Sequence, residues 1–217
     1  NNLNMKNIYK NSFYNLNKAK RILEKNQILA LPTETVYGLA GNAYSHKSVK
    51  RIYSLKKRPQ KNPLIIHYYN LDLLKRDAEY DKNFLKLYKK FSPGPLTYIL
   101  KKKEKSKVSK FANAKLKTIA VRFPKNKIIR SLLKKLNFPL AIPSANISTG
   151  VSPTEPLDVV DEFKNKIKFI LNGGKSLIGL ESTVINLSSR PAILRPGAIS
   201  HIQIEKVLRK KVTNVTK

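Results

Sequence analysis

The chain has 217 residues, with 44 Lys or Arg against 13 Asp or Glu, and a formal net charge of +31. This length favours a single domain built around one hydrophobic core. The chain contains no cysteine, which excludes disulfide bonds and cysteine-ligated zinc and favours a reducing, cytoplasmic location. No apolar run approaches the roughly 20 residues that a membrane-spanning helix needs, so we expect no membrane partner.

The positive charge is interpreted mainly as solvated surface. Only nine of the 44 basic residues are arginine, the residue type best suited to forked phosphate recognition. Lys, Asn and Ile are all abundant, as they are when nucleotide bias pushes codons towards A and T. Weak RNA binding is therefore expected as a secondary consequence of the lysines.

Composition divides the chain into three regions. Residues 1–16 are rich in Asn, carry no acid and are predicted to form a loose N-terminal segment. Residues 17–210 alternate helix and strand with no low-complexity linker, and they form the predicted folded domain. Residues 211–217 are a polar run, predicted to be a C-terminal tail or the start of a linker.

The elements are predicted in chain order from hydrophobic spacing, caps and turn residues. In the first half they are a helix at 17–26, a strand at 28–31, a polar loop at 32–39, a helix capped by Ser45 and ending at Lys57, a strand at 63–67, and a helix from Phe84 to Phe91. In the second half they are strands at 96–100 and 118–123, a helix at 127–136, a strand at 139–143, a helix from Pro156, strands at 167–171, 182–187 and 192–194, and a helix at 203–210. Because helices join some strands and tight turns join others, the pattern predicts an α/β fold with a mixed sheet covered by helices.

Residues 144–154 form a loop between a buried strand and a helix, and nearly all of them are small or hydroxylated. Small side chains let a ligand approach the backbone closely. The hydroxyl groups and the Asn146 amide supply directional donors for phosphate or carboxylate. Taken alone, the same run is also typical of an ordinary turn.

Other polar residues recur at the ends of predicted strands and helices, as in a site across the rim of a sheet. Lys56 and Arg58 are separated by one residue, and two cations that close can grip a polyphosphate. Each residue also has a structural alternative: Lys56 as a solvated charge, His67 as a hydrogen-bonding residue, and Arg122 as the partner of a carboxylate. The chain has no Walker A loop and no GxGxxG motif.

The complete set of motifs resembles the YrdC-like threonylcarbamoyl-adenylate synthase family over about residues 18–200. The matching motifs are Pro-Thr-Glu-Thr-Val-Tyr-Gly-Leu at 32–39, Lys-x-Arg-Pro at 56–59, Pro-Leu-Ile-Ile-His at 63–67, Ser-Pro-Gly-Pro-Leu-Thr at 92–97, Val-Arg-Phe-Pro at 121–124, Pro-Ser-Ala-Asn at 143–146, Ser-Pro-Thr at 152–154, Glu-Ser-Thr at 181–183 and Leu-Arg-Pro-Gly at 194–197. The resemblance implies the YrdC-like fold, a twisted mixed β-sheet flanked by helices around a large, positively charged cavity.

The resemblance also implies a nucleotidyltransferase reaction. L-threonine, bicarbonate and ATP would give threonylcarbamoyl-AMP and pyrophosphate, and a separate tRNA threonylcarbamoyltransferase would pass the threonylcarbamoyl group to the adenosine beside the anticodon. Mg²⁺ would enter with ATP as a substrate complex, with no dedicated metal site and no bound cofactor.

The residues that match the family's functional positions fall into three groups. The catalytic quartet implied by the resemblance is Lys56, Arg58, Ser144 and Asn146, which would also bind ATP. Further nucleotide contacts would come from Asn62, Thr118, Ser152 and Arg195. The threonine pocket would be formed by Thr35, His67, Arg122, Ser182 and, through its backbone, Ile142.

One departure from the family pattern is Thr149, which stands where a Gly is usual after Ser148. If this position needs a positive φ, Thr149 is strained unless Gly150 takes over the turn. The C-terminal motif followed by a helix looks more like the longer branch of the family. The chain is therefore expected to be the catalytic domain of a longer protein, with a lid over the cavity further along.

Two other function classes remain open at this stage. One is an RNA-binding module of the same fold, although the scattered lysines lack an aromatic-rich platform. The other is the carbamoyl-adenylate-handling domain of a carbamoyltransferase of hydrogenase maturation. Those proteins carry cysteine zinc fingers beside this domain, and this chain has no cysteine.

Overall fold

The computed structural model describes residues 7–215. The strands are β1 (Ile8–Lys10), β2 (Leu29–Pro32), β3 (Tyr37–Asn42), β4 (Ile65–His67), β5 (Ala78–Glu79), β6 (Leu96–Lys102), β7 (Thr118–Arg122), β8 (Leu140–Ala141), β9 (Ile170–Asn172), β10 (Thr183–Asn186), β11 (Ala192–Arg195) and β12 (Thr213–Asn214). The helices are α1 (Phe13–Glu24), α2 (His46–Lys56), α3 (Leu71–Asp77), α4 (Lys82–Phe91), α5 (Lys127–Lys134), α6 (Pro156–Phe163) and α7 (His201–Leu208), and one turn of 3₁₀ helix follows α6 at Lys164–Lys166.

Within this range all twelve strands belong to one sheet. Eleven follow the order β1-β9-β2-β3-β8-β4-β7-β6-β10-β11-β12, and β5 pairs with β6 beside this path. The pairs β1–β9, β2–β9, β4–β7, β6–β10 and β11–β12 are parallel. The pairs β2–β3, β3–β8, β4–β8, β6–β7, β10–β11 and β5–β6 are antiparallel. The predicted α/β fold with a twisted, mixed sheet is therefore confirmed.

Helices cover both faces of this sheet. Neighbouring residues of a strand point to opposite faces, so the helices that they contact lie on opposite sides. In β2, Leu29 and Leu31 pack with α1 and α5, whereas Ala30 between them packs with α6. In β8, Leu140 belongs to the same cluster as α1 and α5, whereas Ala141 packs into the largest cluster, with α2, α4 and α7. No helix among the described residues is long and apolar enough to cross a membrane.

The predicted N-terminal boundary is wrong for residues 7–16. Ile8–Lys10 form β1, which pairs in parallel with β9. The Ser12 side chain accepts a hydrogen bond from the Asn15 backbone N–H at 3.2 Å, so α1 begins at Phe13 and not at residue 17. The Asn-rich composition of this segment does not indicate a strand. The strand is defined by its pairing with β9, which lies far away in the chain. Residues 1–6 of the predicted loose segment lie outside the described range.

The predicted C-terminal tail also contains regular structure. Thr213–Asn214 form β12, which pairs in parallel with β11, and residues 216–217 lie outside the described range. The elements α3 and β5, and the start of β3 at Tyr37 inside the predicted polar loop, were not predicted. Two- and three-residue strands are too short to show an alternating pattern, so their sheet partners define them.

Candidate active site

A cavity opens on the face of the sheet formed by β4 and β7. Ile66 and Val121 pack into the core cluster that includes α2 and α4, so Ile65, His67 and Arg122, which alternate with them, face the cavity. The other walls come from Thr33 with residues 35–38, Arg58 with 63–64, residues 142–144, residues 181–182 and Arg195. The space between these walls, counted together with the solvent at its open mouth, is about 540 Å³.

The small-residue loop at 144–154 begins as an extension of the sheet. The Leu39 N–H donates to the Pro143 carbonyl at 3.0 Å, and the Ala145 N–H donates to the Tyr37 carbonyl at 2.8 Å. Between them Gly38 has no space for a side chain, because a Cβ there would lie 2.2 Å from Ile142 Cγ2. The glycine therefore lets the start of β3 lie close enough to set the position of this loop.

Lys56 points into the protein and not into the cavity. Its side chain is 1% exposed, and Nζ donates to the carbonyl oxygens of Ser144 at 2.6 Å and Asn146 at 2.5 Å and to Asn146 Oδ1 at 3.3 Å. Burial, followed by the charge of Arg58, lowers the pKa of Lys56 to about 8. The alternative of a solvated charge is therefore wrong, and the ammonium group holds the loop instead of lining the cavity.

The Asn146 side chain closes the same loop from inside. Its Nδ2 donates to the carbonyl oxygens of Ile147 at 3.0 Å and Gly150 at 2.6 Å. Thr149 adopts a φ of 79°, so the strain anticipated at this position is present at Thr149 and not taken over by Gly150. Half of the predicted quartet, Lys56 and Asn146, thus shapes the loop from behind the cavity wall.

Arg58 and Ser144, the other half of the quartet, line the cavity. Arg58 donates from Nε to the Asn62 carbonyl at 3.1 Å and from Nη2 to the Pro63 carbonyl at 3.0 Å. Three arginines line the cavity, and Arg58 alone among them has no carboxylate partner within residues 7–215. Its charge is therefore the one most available to an anionic ligand.

Arg122 forms a buried ion pair with Glu34. Arg122 Nη2 lies 2.6 Å from Glu34 Oε1, and both side chains are 5% exposed. Arg122 also donates to Thr35 Oγ1 at 3.0 Å and to the Gly94 carbonyl at 3.3 Å. Burial raises the pKa of Glu34, but the charge of Arg122, its hydrogen bond and the backbone N–H groups of Glu34 and Lys125 outweigh this, and the pKa of Glu34 is lowered overall.

His67 is buried, and its charge state follows from its surroundings. Burial, with the charge of Arg122 next in importance, lowers the pKa of His67 well below its usual value. Nδ1 lies 3.1 Å from the Ile65 carbonyl oxygen, which can only accept, so Nδ1 carries the proton of the neutral ring. Nε2 is then a hydrogen-bond acceptor.

Arg195 and Glu181 form a second ion pair in the cavity wall. Arg195 Nη1 contacts Glu181 Oε2, and Arg195 Nη2 donates to the carbonyl at 2.8 Å and the hydroxyl at 3.0 Å of Ser182. Ser152 Oγ donates to Glu181 Oε1 at 3.1 Å. Unlike the Arg122–Glu34 pair, this pair is partly open to solvent, with side chains 36% and 38% exposed.

The structure gathers most, but not all, of the predicted site residues around the cavity. Those that line it are Thr35, Arg58, His67, Arg122, Ile142, Ser144, Ser182 and Arg195. Those outside the lining are Lys56, Asn62, Thr118, Asn146 and Ser152. Thr118 begins β7, four residues from Arg122 at its other end. Two carboxylates that partner the cavity arginines, Glu34 and Glu181, were not among the predicted site residues, although each stands inside one of the family motifs.

A twisted mixed sheet with this motif-lined cavity defines a YrdC-like domain. The chain belongs to the Sua5/YciO/YrdC family, described as "Telomere recombination", whose match covers residues 21–197. It is 42% identical over 194 residues to the threonylcarbamoyl-AMP synthase of Pyrococcus abyssi, and 40% identical over 196 residues to that of Bacillus subtilis. Both alignments cover 88% of this chain and 56% of the relative, so the chain spans about half the length of these relatives.

Solved structures give the same relationship. Pyrococcus abyssi Sua5 complexed with L-threonine superposes with a TM-score of 0.89 at 39% identity, covering 95% of this chain and 61% of that one. Escherichia coli YciO superposes with a TM-score of 0.82 at 24% identity, covering 91% of this chain and 98% of that one, and supports the fold alone.

Proposed function

We propose that the chain is an L-threonylcarbamoyladenylate synthase, which condenses L-threonine, bicarbonate and ATP to threonylcarbamoyl-AMP and pyrophosphate. The observation that carries the proposal is one cavity lined by both an amino-acid set and a nucleotide set of the family's motif residues. The catalytic domain, predicted as residues 17–210, is proposed to extend over residues 8–214, because β1, the start of α1 and β12 belong to the same fold.

The threonine end of the cavity is proposed to lie beside Arg122 and His67. Arg122 would bind the substrate carboxylate, and His67 Nε2 would accept a hydrogen bond from the substrate amine or hydroxyl. Ser182 lies at the same wall, where its hydroxyl is 2.7 Å from Thr97 Oγ1. The Ile142 N–H already donates to the Ile65 carbonyl at 3.0 Å, so the Ile142 carbonyl is the backbone group proposed to meet the substrate.

The hydroxyl of Thr35 has a defined direction in this pocket. Thr33 Oγ1 donates its single proton to the Val36 carbonyl at 2.7 Å. The 2.8 Å contact between the two hydroxyls therefore has Thr35 as the donor, and Thr35 accepts from Arg122 at 3.0 Å. Thr35 can thus offer only an acceptor lone pair to a ligand, which suits a substrate N–H or O–H.

The triphosphate is proposed to bind between Arg58, Ser144 and Arg195, with Lys56 and Asn146 fixing the loop that presents Ser144. Contacts of Asn62, Ser152 and Thr118 with the nucleotide remain part of the proposal. Asn62 neighbours Arg58 and Ser152 is bonded to Glu181, whereas Thr118 shares the cavity-facing side of β7 with Arg122. Mg²⁺ is proposed to arrive with ATP, since Mg²⁺ commonly uses substrate phosphates and one or two carboxylates, and Glu181 is a carboxylate in the cavity wall.

The proposed chemistry needs positioning and charge neutralisation more than covalent catalysis. The threonine amine and bicarbonate form a carbamate with loss of water. A carbamate oxygen then attacks the α-phosphorus of ATP, and the bond to the bridging oxygen breaks as pyrophosphate leaves. Arg58 and Arg195 would neutralise the charge that develops on the phosphates. The product would pass to a tRNA threonylcarbamoyltransferase.

The proposal is tested by pyrophosphate release from ATP with all substrates present and with each one omitted. Release should need ATP, L-threonine and bicarbonate together. Replacing threonine with alanine should abolish most of it, because a pocket that hydrogen-bonds the substrate hydroxyl leaves its own groups unpaired with alanine. Release that is unchanged without threonine would contradict the assignment.

A further inference from the structure

Glu34 is a buried carboxylate that the proposed mechanism does not use. Its side chain is 5% exposed and lies behind Arg122, outside the lining of the cavity. Oε2 accepts hydrogen bonds from the backbone N–H groups of Lys125 at 2.9 Å and Asn126 at 3.2 Å. Asn126 is itself the N-cap of α5. The carboxylate is therefore held by the backbone at the start of a helix, independently of Arg122.

Arg122 is held by three acceptors from two segments of the chain, residues 34–35 and Gly94. Its Nε donates to the Gly94 carbonyl, Nη1 donates to Thr35 Oγ1, and Nη2 donates to Glu34 Oε1. A guanidinium carries five N–H groups, so these bonds leave one N–H on each terminal nitrogen. Two N–H groups are what a carboxylate accepts in a forked pair.

The bond to Glu34 is the shortest of the three, at 2.6 Å against 3.0 Å to Thr35 and 3.3 Å to Gly94. It is also the only one of the three with a charged acceptor, and charge-assisted bonds are the stronger kind. Without it the guanidinium keeps two weaker bonds, to a hydroxyl and to a carbonyl, and gains rotational freedom about its long side chain.

We propose that Glu34 is a positioning residue that sets the affinity of the cavity for the α-carboxylate of the amino-acid substrate by fixing the guanidinium plane of Arg122. The inference rests on the proposed function for the identity of that substrate. It assigns Glu34 no contact with the substrate itself. Its signature is a loss of amino-acid affinity that depends on Arg122 and spares the nucleotide.

Glu34→Gln separates this positioning role from the effects of side-chain size and burial, since Gln has the same shape as Glu but no charge. The amide has one acceptor oxygen and one donor NH₂ group. If the oxygen faces the N–H groups of Lys125 and Asn126, the NH₂ group faces Arg122 and repels its N–H groups. The variant therefore releases Arg122 while the tie to the start of α5 persists.

The experiment measures L-threonine binding by calorimetry, and KM values for threonine and ATP, in the wild type and in Glu34→Gln. We expect threonine affinity to fall about tenfold or more, because a charge-assisted hydrogen bond holding the guanidinium is lost, while the KM for ATP changes less than about twofold. Glu24→Gln is the control, since Glu24 pairs with Lys20 on the exposed side of α1 and should change neither value. Glu34→Asp keeps the charge and reaches less far, and should give an intermediate loss with a melting temperature near that of the wild type.

A double-mutant cycle with Arg122→Lys decides whether the effect passes through Arg122. Glu34→Gln should weaken threonine binding by less than about twofold in the Arg122→Lys background if Glu34 acts only through the guanidinium. Unchanged threonine affinity in Glu34→Gln, or a parallel loss of threonine and ATP binding, would overturn the inference. A wild type that binds threonine but releases no pyrophosphate would contradict the proposed function alone and leave this binding comparison intact.

Discussion

The ammonium nitrogen of Lys56 lies 2.6 Å from the carbonyl oxygen of Ser144, 88 residues further along the chain. A second bond, to the Asn146 carbonyl at 2.5 Å, makes Lys56 the fixed point of the loop that carries Ser144. The Ser148 N–H in turn donates to the Lys56 carbonyl at 2.8 Å. The main chain and the side chain of one residue at the end of α2 therefore hold both ends of the segment 144–148.

Lys56→Met should accordingly damage folding as well as activity. Leaving buried carbonyl groups unpaired costs roughly 1–3 kcal/mol each, so urea unfolding should show a loss of at least about 2 kcal/mol. Lys47→Met, an exposed site on the same helix, is the matched control and should stay within about 0.5 kcal/mol of the wild type. A Lys56→Met protein as stable as the control would mean that the loop does not depend on this ammonium group.

The lowered pKa of Lys56, about 8, predicts a pH dependence with two opposite signs. The neutral amine has two N–H donors for three acceptor oxygens, so the KM for ATP should rise as pH increases through 8. The contribution of Lys56 to the free energy of unfolding should instead increase with pH. The unfolded side chain titrates near 10.5 and binds more protons above pH 8, so this contribution grows with pH until about 10.5 and is lost as pH falls through 8. Both effects are isolated by measuring the KM for ATP and the free energy of unfolding against pH in the wild type and in Lys56→Met, which lacks the titrating group.

Arg58→Ala should reduce turnover far more than stability. Arg58 is partly exposed and bonds only to the Asn62 and Pro63 carbonyl oxygens within the described chain, so its removal should cost about 1 kcal/mol or less. Loss of a phosphate-binding donor should lower kcat by about 10²-fold or more. Arg51→Ala, exposed on α2, controls for the loss of one positive charge. A collapsed melting temperature with normal activity in the folded fraction would assign Arg58 a structural role instead.

Arg122→Lys should weaken threonine binding and leave ATP binding nearly unchanged. A lysine keeps the charge but cannot bond Glu34, Thr35 and Gly94 while presenting a fork to a carboxylate. Separate titrations with L-threonine and with ATP measure the two affinities. Equal losses of both ligands would indicate a general distortion of the cavity.

Thr149→Gly should stabilise the protein. A β-branched residue at a φ of 79° carries strain of roughly 1–3 kcal/mol, whereas Gly adopts this conformation freely but gives up more entropy on folding. The expected net gain is up to about 1 kcal/mol in the free energy of unfolding, measured by urea titration. Gly150→Ala, next to this position, should give no gain. A destabilised Thr149→Gly protein would show that contacts of the threonine side chain outweigh its backbone strain.

The fold class, most elements and most residues around the cavity could be predicted from the sequence, because they depend on local patterns and motifs. Ser45 caps α2 as predicted, accepting from the Ser48 N–H at 3.2 Å, since capping is decided within four residues. The inward direction of Lys56 could not be predicted, because it depends on carbonyl groups 88 and 90 residues away. The Glu34–Arg122 pair likewise joins residues 88 positions apart, and nothing near Glu34 in the chain indicates which cation it meets.

The outermost strands of the sheet path, β1 and β12, are also the first and last strands along the described chain. Each lies parallel to its neighbour and shields it from one side, β1 covering β9 and β12 covering β11. Both are short, with three and two residues, and short edge strands limit strand pairing between molecules. Proteolytic loss of β1 or β12 would make β9 or β11 the new edge of the sheet. A form of the protein that lacks β1 is therefore expected to self-associate more readily, because its new edge strand carries the apolar residues Ile170 and Leu171, which are fully buried in the intact fold.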